Sequence, residues 1–283
     1  MKSNKILILG GDKRIEELIK LCCEEGYAVS SYGHESMNDK MVKEYETLEE
    51  GISNNDTIIG PIPFNCGDKI NMKLSKKNVS VNAFISLMNK YKTLILGSPD
   101  SYFTNLAQKM DIKYYDYNKD ECFQIANASS TAEGAISIII NERNKTIYGS
   151  NILILGYGRI GKILSNYLKI FNPNLYVFAR KDADITWTNI NGHKGLKVHE
   201  LESFISNIDI IINTIPAAII SKELIDKTNK DILIIDLASK PGGLDHNYAI
   251  EKGLKTIHAL GLPGKIAPKS AAKVIFNTIL KNV

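Results

Sequence analysis

Short runs of Ile, Leu and Val alternate along this chain with segments whose apolar positions recur every three to four residues. The first pattern is that of strands buried on both faces of a parallel sheet, and the second that of the helices covering it. Lys5–Leu9 reads as a first strand, and Gly10-Gly11-Asp12 turns it into a helix ending near Gly26. Tyr27–Ser31, Thr57–Gly60 and Thr93–Leu96 follow as strands, the second of them stopped by Pro61 and Pro63. A helix capped by Asp100 or Ser101 and a strand over Ile112–Tyr115 complete a small open α/β domain that ends near residue 120.

A longer helical stretch covers roughly residues 121–143, and Ser130-Thr131-Ala132-Glu133 has the form of a capping box restarting it. A second α/β set then begins at Asn151, with strands at Ile152–Leu155, Leu175–Ala179, Asp209–Asn213, Ile232–Asp236 and Thr256–Ala259. After Pro268 a final helix repeats apolar residues at Ala271, Val274, Ile275 and Ile279, which is one helical face. The expected fold class is therefore α/β: two open parallel-sheet domains, the second a Rossmann dinucleotide-binding domain, with a cleft between them. The expected division is a first domain over 1–120, a linking helix over 121–148, the Rossmann domain over 149–264, and a C-terminal helix over 265–283. That helix either returns to the first domain or serves an interface between copies.

Composition narrows the function without naming it. Residues 1–120 carry 16 Lys+Arg against 17 Asp+Glu, and residues 121–283 carry 19 against 14, so the cationic surplus lies with the second domain, where an anionic ligand is expected. No basic run or nucleic-acid motif is present. Cys22, Cys23, Cys66 and Cys122 have neither CxxC nor metal-ligand spacing and read as reduced thiols. The apolar start, Ile6 to Gly11, is too short for a secretory core, and Ile208–Ile220 is broken by Asp209, Asn213, Thr214 and Pro216. A cytoplasmic protein without a metal is expected.

The sequence from Asn151 to Leu155 runs into Gly156-Tyr-Gly158-Arg159-Ile160-Gly161 and then a helix. In that context GxGxxG is a dinucleotide fingerprint: Gly156 for the tight turn, Gly158 for close approach of the pyrophosphate, and Gly161 for helix–strand packing. The next strand ends at Arg180 and Lys181, where an NAD protein carries an acid for the ribose hydroxyls. Cations there suit a 2′-phosphate, so the expected cofactor is NADP; Asp182 is the rival, a displaced ribose acceptor. The nicotinamide end is expected near Asn213-Thr214-Ile215-Pro216 and near Asp236-Leu237-Ala238-Ser239-Lys240-Pro241-Gly242-Gly243.

These stretches, with Gly10-Gly11-Asp12-Lys13-Arg14, Thr131-Ala132-Glu133-Gly134, Tyr148-Gly149-Ser150 and the segment from Gly261 to Lys269, resemble the dipicolinate synthase A-subunit family nearly end to end. The resemblance implies NADP-dependent oxidation of 4-hydroxy-tetrahydrodipicolinate, or of its dehydrated dihydro form, to dipicolinate during sporulation. It also implies a partner, the flavoprotein-like second subunit of the synthase, with synthesis in the mother-cell cytoplasm; a homo-oligomer is expected.

A dicarboxylate substrate needs cations. Lys13, Arg14, Lys240, Lys265 and Lys269 are the candidates, with Thr131 offering a hydroxyl and helix-start N–H groups. Oxidation needs a proton acceptor, for which Glu133 is preferred and Asp12 second; Glu133 could equally serve only as a cap. Five histidines stand outside these motifs, and the absence of an apparent His–acid pair counts against alcohol oxidation of the hydroxyacid-dehydrogenase kind. The rival readings are another two-domain dehydrogenase of a 2-hydroxy or amino acid, and a non-catalytic dinucleotide-binding subunit.

Overall fold

The computed structural model describes residues 5–35, 37, 42–239 and 241–279. The chain divides into two compact units, one formed by residues 1–127 with 263–283 and the other by residues 128–262.

In the first unit the chain runs through β1 (Ile6–Leu9), α1 (Lys13–Glu24), β2 (Val29–Tyr32), β3 (Lys43–Glu44), α2 (Leu48–Ser53) and β4 (Thr57–Ile59). A small hairpin of β5 (Asn65–Cys66) and β6 (Lys69–Ile70) follows, then α3 (Val81–Ser86), β7 (Thr93–Leu96), α4 (Ser101–Lys109) and β8 (Tyr115–Asp116). The main sheet is parallel with order β3-β2-β1-β4-β7-β8. Side chains of a strand alternate between faces, and here both faces are covered. Leu7, Leu9, Leu94 and Leu96 pack with Phe84 and Phe103 on one side, while Ile6, Ile8, Ile59 and Ile95 pack with Leu18, Ile19 and Ile275 on the other. This double burial accounts for strands written as unbroken apolar runs.

A 22-residue helix, α5 (Glu121–Glu142), leads on. The second unit contains β9 (Asn151–Leu155), α6 (Arg159–Leu168), β10 (Asn174–Phe178), α7 (Asp182–Ile190), β11 (Lys194–Leu196), α8 (Leu201–Phe204) and β12 (Ile210–Asn213). It continues with α9 (Lys222–Asp226), β13 (Leu233–Asp236), α10 (His246–Glu251) and β14 (Lys255–His258). Its sheet is also parallel, in the order β11-β10-β9-β12-β13-β14. Ile152, Ile154, Ile210 and Ile212 face Ala132, Ala135 and Ile139 of α5 with Leu164 and Leu168 of α6. Two last helices, α11 (Leu262–Ile266) and α12 (Pro268–Ile279), close the chain. The apolar face of α12, with Ala272, Ile275 and Phe276, lies on Leu18, Ile19 and Cys22 of α1, so this helix packs within the first unit.

The two-sheet α/β class agrees with the sequence reading, and Asp100 is the cap of α4, accepting from the N–H groups of Tyr102 and Phe103. Three local readings are corrected. The strand expected at Ile112–Tyr115 begins only at Tyr115, because Asp111 turns the chain at φ +52° and Ile112 N–H closes back on Ala107 O. The edge strands β3 and β11 escape the reading because they are two and three residues long and begin with lysines. Ser130 to Glu133 does not restart a helix: α5 passes through it without a break, its buried Ala132, Ala135 and Ile139 requiring one continuous face.

Candidate dinucleotide site

The turn after β9 has the geometry that its glycines predict. Gly156 adopts φ +102°, and a Cβ there would lie 2.4 Å from Thr214 Oγ1. A Cβ on Gly161 would lie 2.0 Å from Gly156 O, so α6 approaches the turn as only glycine permits. Gly158 is different. It is the N-cap of α6, supplies no side-chain cap, and has no atom within 4 Å of where a Cβ would be. The first-turn N–H groups of a helix lack intrahelical partners and carry partial positive charge. An uncapped ten-residue helix behind an open glycine therefore suits a pyrophosphate. Arg159 is exposed and Ile160 half-buried in this first turn.

The strand order reverses direction between β9 and β12, the switch point where dinucleotides cross a doubly wound sheet. On the β10 side, Arg180 and Lys181 are both exposed at the strand end. Asp182 is held by Lys197 at 2.8 Å, whose hydrogen bond and charge keep its carboxyl below the usual range. On the β12 side, Thr214 donates its hydroxyl to Leu155 O at 2.8 Å. Asn213, fully buried, donates to Ile215 O at 2.9 Å and to Asp236 Oδ1 at 2.8 Å, while accepting from Ile215 N–H. These bonds fix the turn and leave Pro216 exposed.

Asp236 ends β13 with no exposed surface. Besides Asn213 it accepts from Ala238 N–H at 3.1 Å, Gly243 N–H at 2.8 Å and His246 Nε2 at 3.0 Å. Burial pushes its carboxyl up, but the donors from Gly243, Asn213, Ala238 and His246 outweigh burial and hold it below the usual carboxylate range. Ala238 is buried and Ser239 exposed beside it, whereas Lys240 lies outside the described residues. His258, from the end of β14, bonds Ala238 O through Nε2 at 2.9 Å and stacks on His246 with ring centres 4.9 Å apart.

The chain does contain a His–acid pair, contrary to the sequence reading: His246 with Asp236. The signal was an aspartate at a strand end with a histidine ten residues on, past Pro241-Gly242-Gly243. That loop returns the chain so that the first residue of α10 meets the strand end.

The remaining predicted residues fall in two places. Glu133 is an exposed residue in the interior of α5, and Thr131 is buried in the same helix, so the expected helix-start N–H groups are not there to be offered. In the first unit Asp12 caps α1, accepting from Arg14 N–H at 3.1 Å. Arg14, buried, forks that carboxylate through Nε at 2.9 Å and Nη2 at 2.8 Å and donates to Ile62 O. Burial raises the Asp12 carboxyl, but the bonds and charge of Arg14 win and lower it, which makes Asp12 a poor proton acceptor. A Cβ on Gly264 would lie 2.8 Å from Arg14 Nε, so α11 packs directly on this pair at Gly264, and the two motifs far apart in sequence meet here. Lys13 and Lys265 are exposed nearby in sequence to it, and Lys269 lies by Glu17, Lys20 and Glu24 in a groove along α1. Lys265 and Lys269 thus belong to the first unit.

Comparison with known proteins gives these geometries a class. Residues 126–250 match the D-isomer specific 2-hydroxyacid dehydrogenase, NAD binding domain, so the second unit is a nicotinamide-dinucleotide domain of the dehydrogenase type. Residues 5–118 match the N-terminal domain of the dipicolinate synthase A subunit. The dipicolinate synthase A subunit of Bacillus subtilis is 29% identical over 98% of this chain and 95% of its own length. The crystal structure of the corresponding subunit from Bacillus halodurans superposes with a TM-score of 0.88 at 25% identity, covering 98% of this chain and 97% of the other. That from Bacillus subtilis gives 0.87 at 28% identity, covering 99% and 96%. The chain is thus similar over nearly its whole length to dipicolinate synthase A subunits, and residues 5–118 carry the N-terminal domain of that subunit. Among the described residues no helix is long and apolar enough to cross a membrane.

Proposed function

We propose that this protein is an NADP-dependent dehydrogenase that oxidises 4-hydroxy-tetrahydrodipicolinate, or the dihydrodipicolinate left when that ring loses water, to dipicolinate in the mother-cell cytoplasm of sporulating cells. The observation that carries the cofactor is the uncapped amino end of α6 behind an open Gly158. The substrate follows from the end-to-end likeness to the dipicolinate synthase A subunit. NADP is preferred over NAD because Asp182, the rival ribose acceptor, is engaged by Lys197, while Arg180 and Lys181 stand exposed at the end of β10.

When bound, the oxidised nicotinamide supplies the hydride acceptor. The protein's part is to hold the pyrophosphate on the first turn of α6, to pair the 2′-phosphate with Arg180, and to fix the Thr214 and Ala238 turns through Asn213 and Asp236. Among the described residues, Lys13 and Lys265 have no acidic partner, which leaves them for a substrate carboxylate. A homo-oligomeric state and a flavoprotein-like second subunit complete the proposal.

The test follows NADPH by its near-UV absorbance with freshly generated 4-hydroxy-tetrahydrodipicolinate, with and without the flavoprotein subunit. NADPH and dipicolinate appearing together support the reading. NADP binding without NADPH under either condition would instead support a non-catalytic dinucleotide-binding subunit.

A further inference from the structure

Asp236, His246 and His258 meet at the carboxyl ends of β13 and β14, in the β12–β14 half of the sheet. In this strand order that half carries the second mononucleotide, so reacting atoms are expected above it. The ligand atoms of the three residues lie within 4.8 Å of one another. Their hydrogen bonds argue against a metal: Asp236 already accepts four, and both ring Nε2 atoms are in use.

Those same bonds assign the tautomers. An ionised carboxylate and a carbonyl can only accept, so Nε2 carries the proton on His246 and on His258. In the neutral ring Nδ1 of His246 then presents a lone pair, and no described residue donates to it. The His246 side chain is 21% exposed, enough to be reached, while its partner carboxylate is wholly enclosed. Stacking on His258 at an interplanar angle of 17° fixes the plane of the ring. Among the described residues, the titratable groups facing it are Asp236 and His258; Asp245, its neighbour in sequence, is turned to Lys222 at 3.5 Å.

We infer that His246 is the proton acceptor of the proposed oxidation, with Nδ1 taking the proton from the substrate ring and Asp236 positioning the imidazole; this rests on the proposed function. In passing from dihydropyridine to pyridine the ring gives up one C–H as hydride, to the nicotinamide, and one further proton from carbon or nitrogen. The electron pair of that second bond stays behind and completes the aromatic ring. The proton goes to Nδ1 of His246, Nε2 keeps its own proton toward Asp236, and the imidazolium returns the extra proton to water. Oriented by a buried acid, the imidazole works as a base without the acid itself titrating.

The experiment compares wild type with His246→Gln, His246→Ala and Asp236→Asn. Glutamine can still donate to Asp236 but offers no comparable base. His246→Gln is expected to bind NADP and dipicolinate in titration calorimetry as wild type does, with KM nearly unchanged and kcat lowered by about 100-fold or more. His246→Ala is expected to recover turnover when imidazole is added. Nitrogen NMR of the ligand-free protein should show His246 protonated on Nε2 in wild type, and a mixture of tautomers in Asp236→Asn. Turnover of folded His246→Gln within about three-fold of wild type would overturn the assignment. So would activity lost to a chelator and restored by zinc, which would make the trio a metal site. No turnover by wild type, with NADP still bound, would remove the proposed function and this inference with it. Turnover by wild type and by His246→Gln alike would remove the inference alone.

Discussion

After β1 the chain turns at Gly10 and Gly11 and enters α1; after β9 it turns at Gly156 and enters α6. Both turns sit at the centre of six-stranded parallel sheets of equivalent order. The first is filled by its own chain. A Cβ on Gly10 would lie 2.5 Å from Met72 Sδ, Gly11 N–H donates to Asn71 O at 2.7 Å, and the Asp12 carboxylate occupies the amino end of α1. At the second turn the corresponding helix end has no side-chain cap, and the space over Gly158 is free. A helix amino end attracts an anion in either case. In one unit the sequence supplies the anion as an aspartate, locked by Arg14; in the other it leaves the position for a phosphate.

That contrast can be broken from either side. The largest effect is expected from Asp12→Ala, which removes a cap and strands a buried guanidinium; we expect a loss of about 3–5 kcal/mol in denaturant unfolding, with NADP binding by the folded fraction unchanged. The lowered Asp12 carboxyl adds a pH signature. Its contribution is present above the ordinary carboxylate range, near about pH 4, and is lost as the pH falls through the lowered value. Asp12→Asn should therefore flatten the acid limb of the stability profile. Gly158→Val is expected to act oppositely, weakening NADP by about 100-fold, or about 2.7 kcal/mol, with the melting temperature little changed. Gly158 has an ordinary φ of −81°, and a Cβ there would have no protein atom within 4 Å, so the side chain starts into open space, toward the ligand's place.

Smaller still, Arg180→Asp should lower the proposed preference for NADP over NAD by about ten-fold in paired titrations, about 1.4 kcal/mol. Equal loss of both cofactors would mean that Arg180 does not read the 2′-phosphate. Least of all, Glu133→Gln should leave turnover within about two-fold and stability within about 0.5 kcal/mol, as for an exposed side chain within a helix. A large loss of rate would return Glu133 to the chemistry.

How much of this was readable in the chain depended on how local the cause was. Gly156, Gly158 and Gly161 were legible because each is demanded by its immediate neighbours and all lie within six residues. Double-sided burial made β1, β7, β9 and β12 plain as apolar runs. The apparent capping box at Ser130–Glu133 misled because its pattern is satisfied equally by a helix interior, and only the packing of Ala132, Ala135 and Ile139 on the second sheet decides. The fork of Arg14 on Asp12 was hidden because two charges two positions apart say nothing of whether they face each other or a ligand. His246 and Asp236 stayed unconnected because the loop joining them lacks periodicity.

The placement of α12 on α1 has a consequence for biosynthesis. The second unit is one uninterrupted stretch of polypeptide, inserted into the first, whose closing piece, residues 263–283, is made long after the rest. A nascent chain can complete the inserted unit while the earlier-made one still lacks the helix that covers Leu18, Ile19 and Cys22. The earlier-made unit is thus the later to mature, and in the interval its uncovered α1 face is a natural target for chaperones and a point of vulnerability to aggregation.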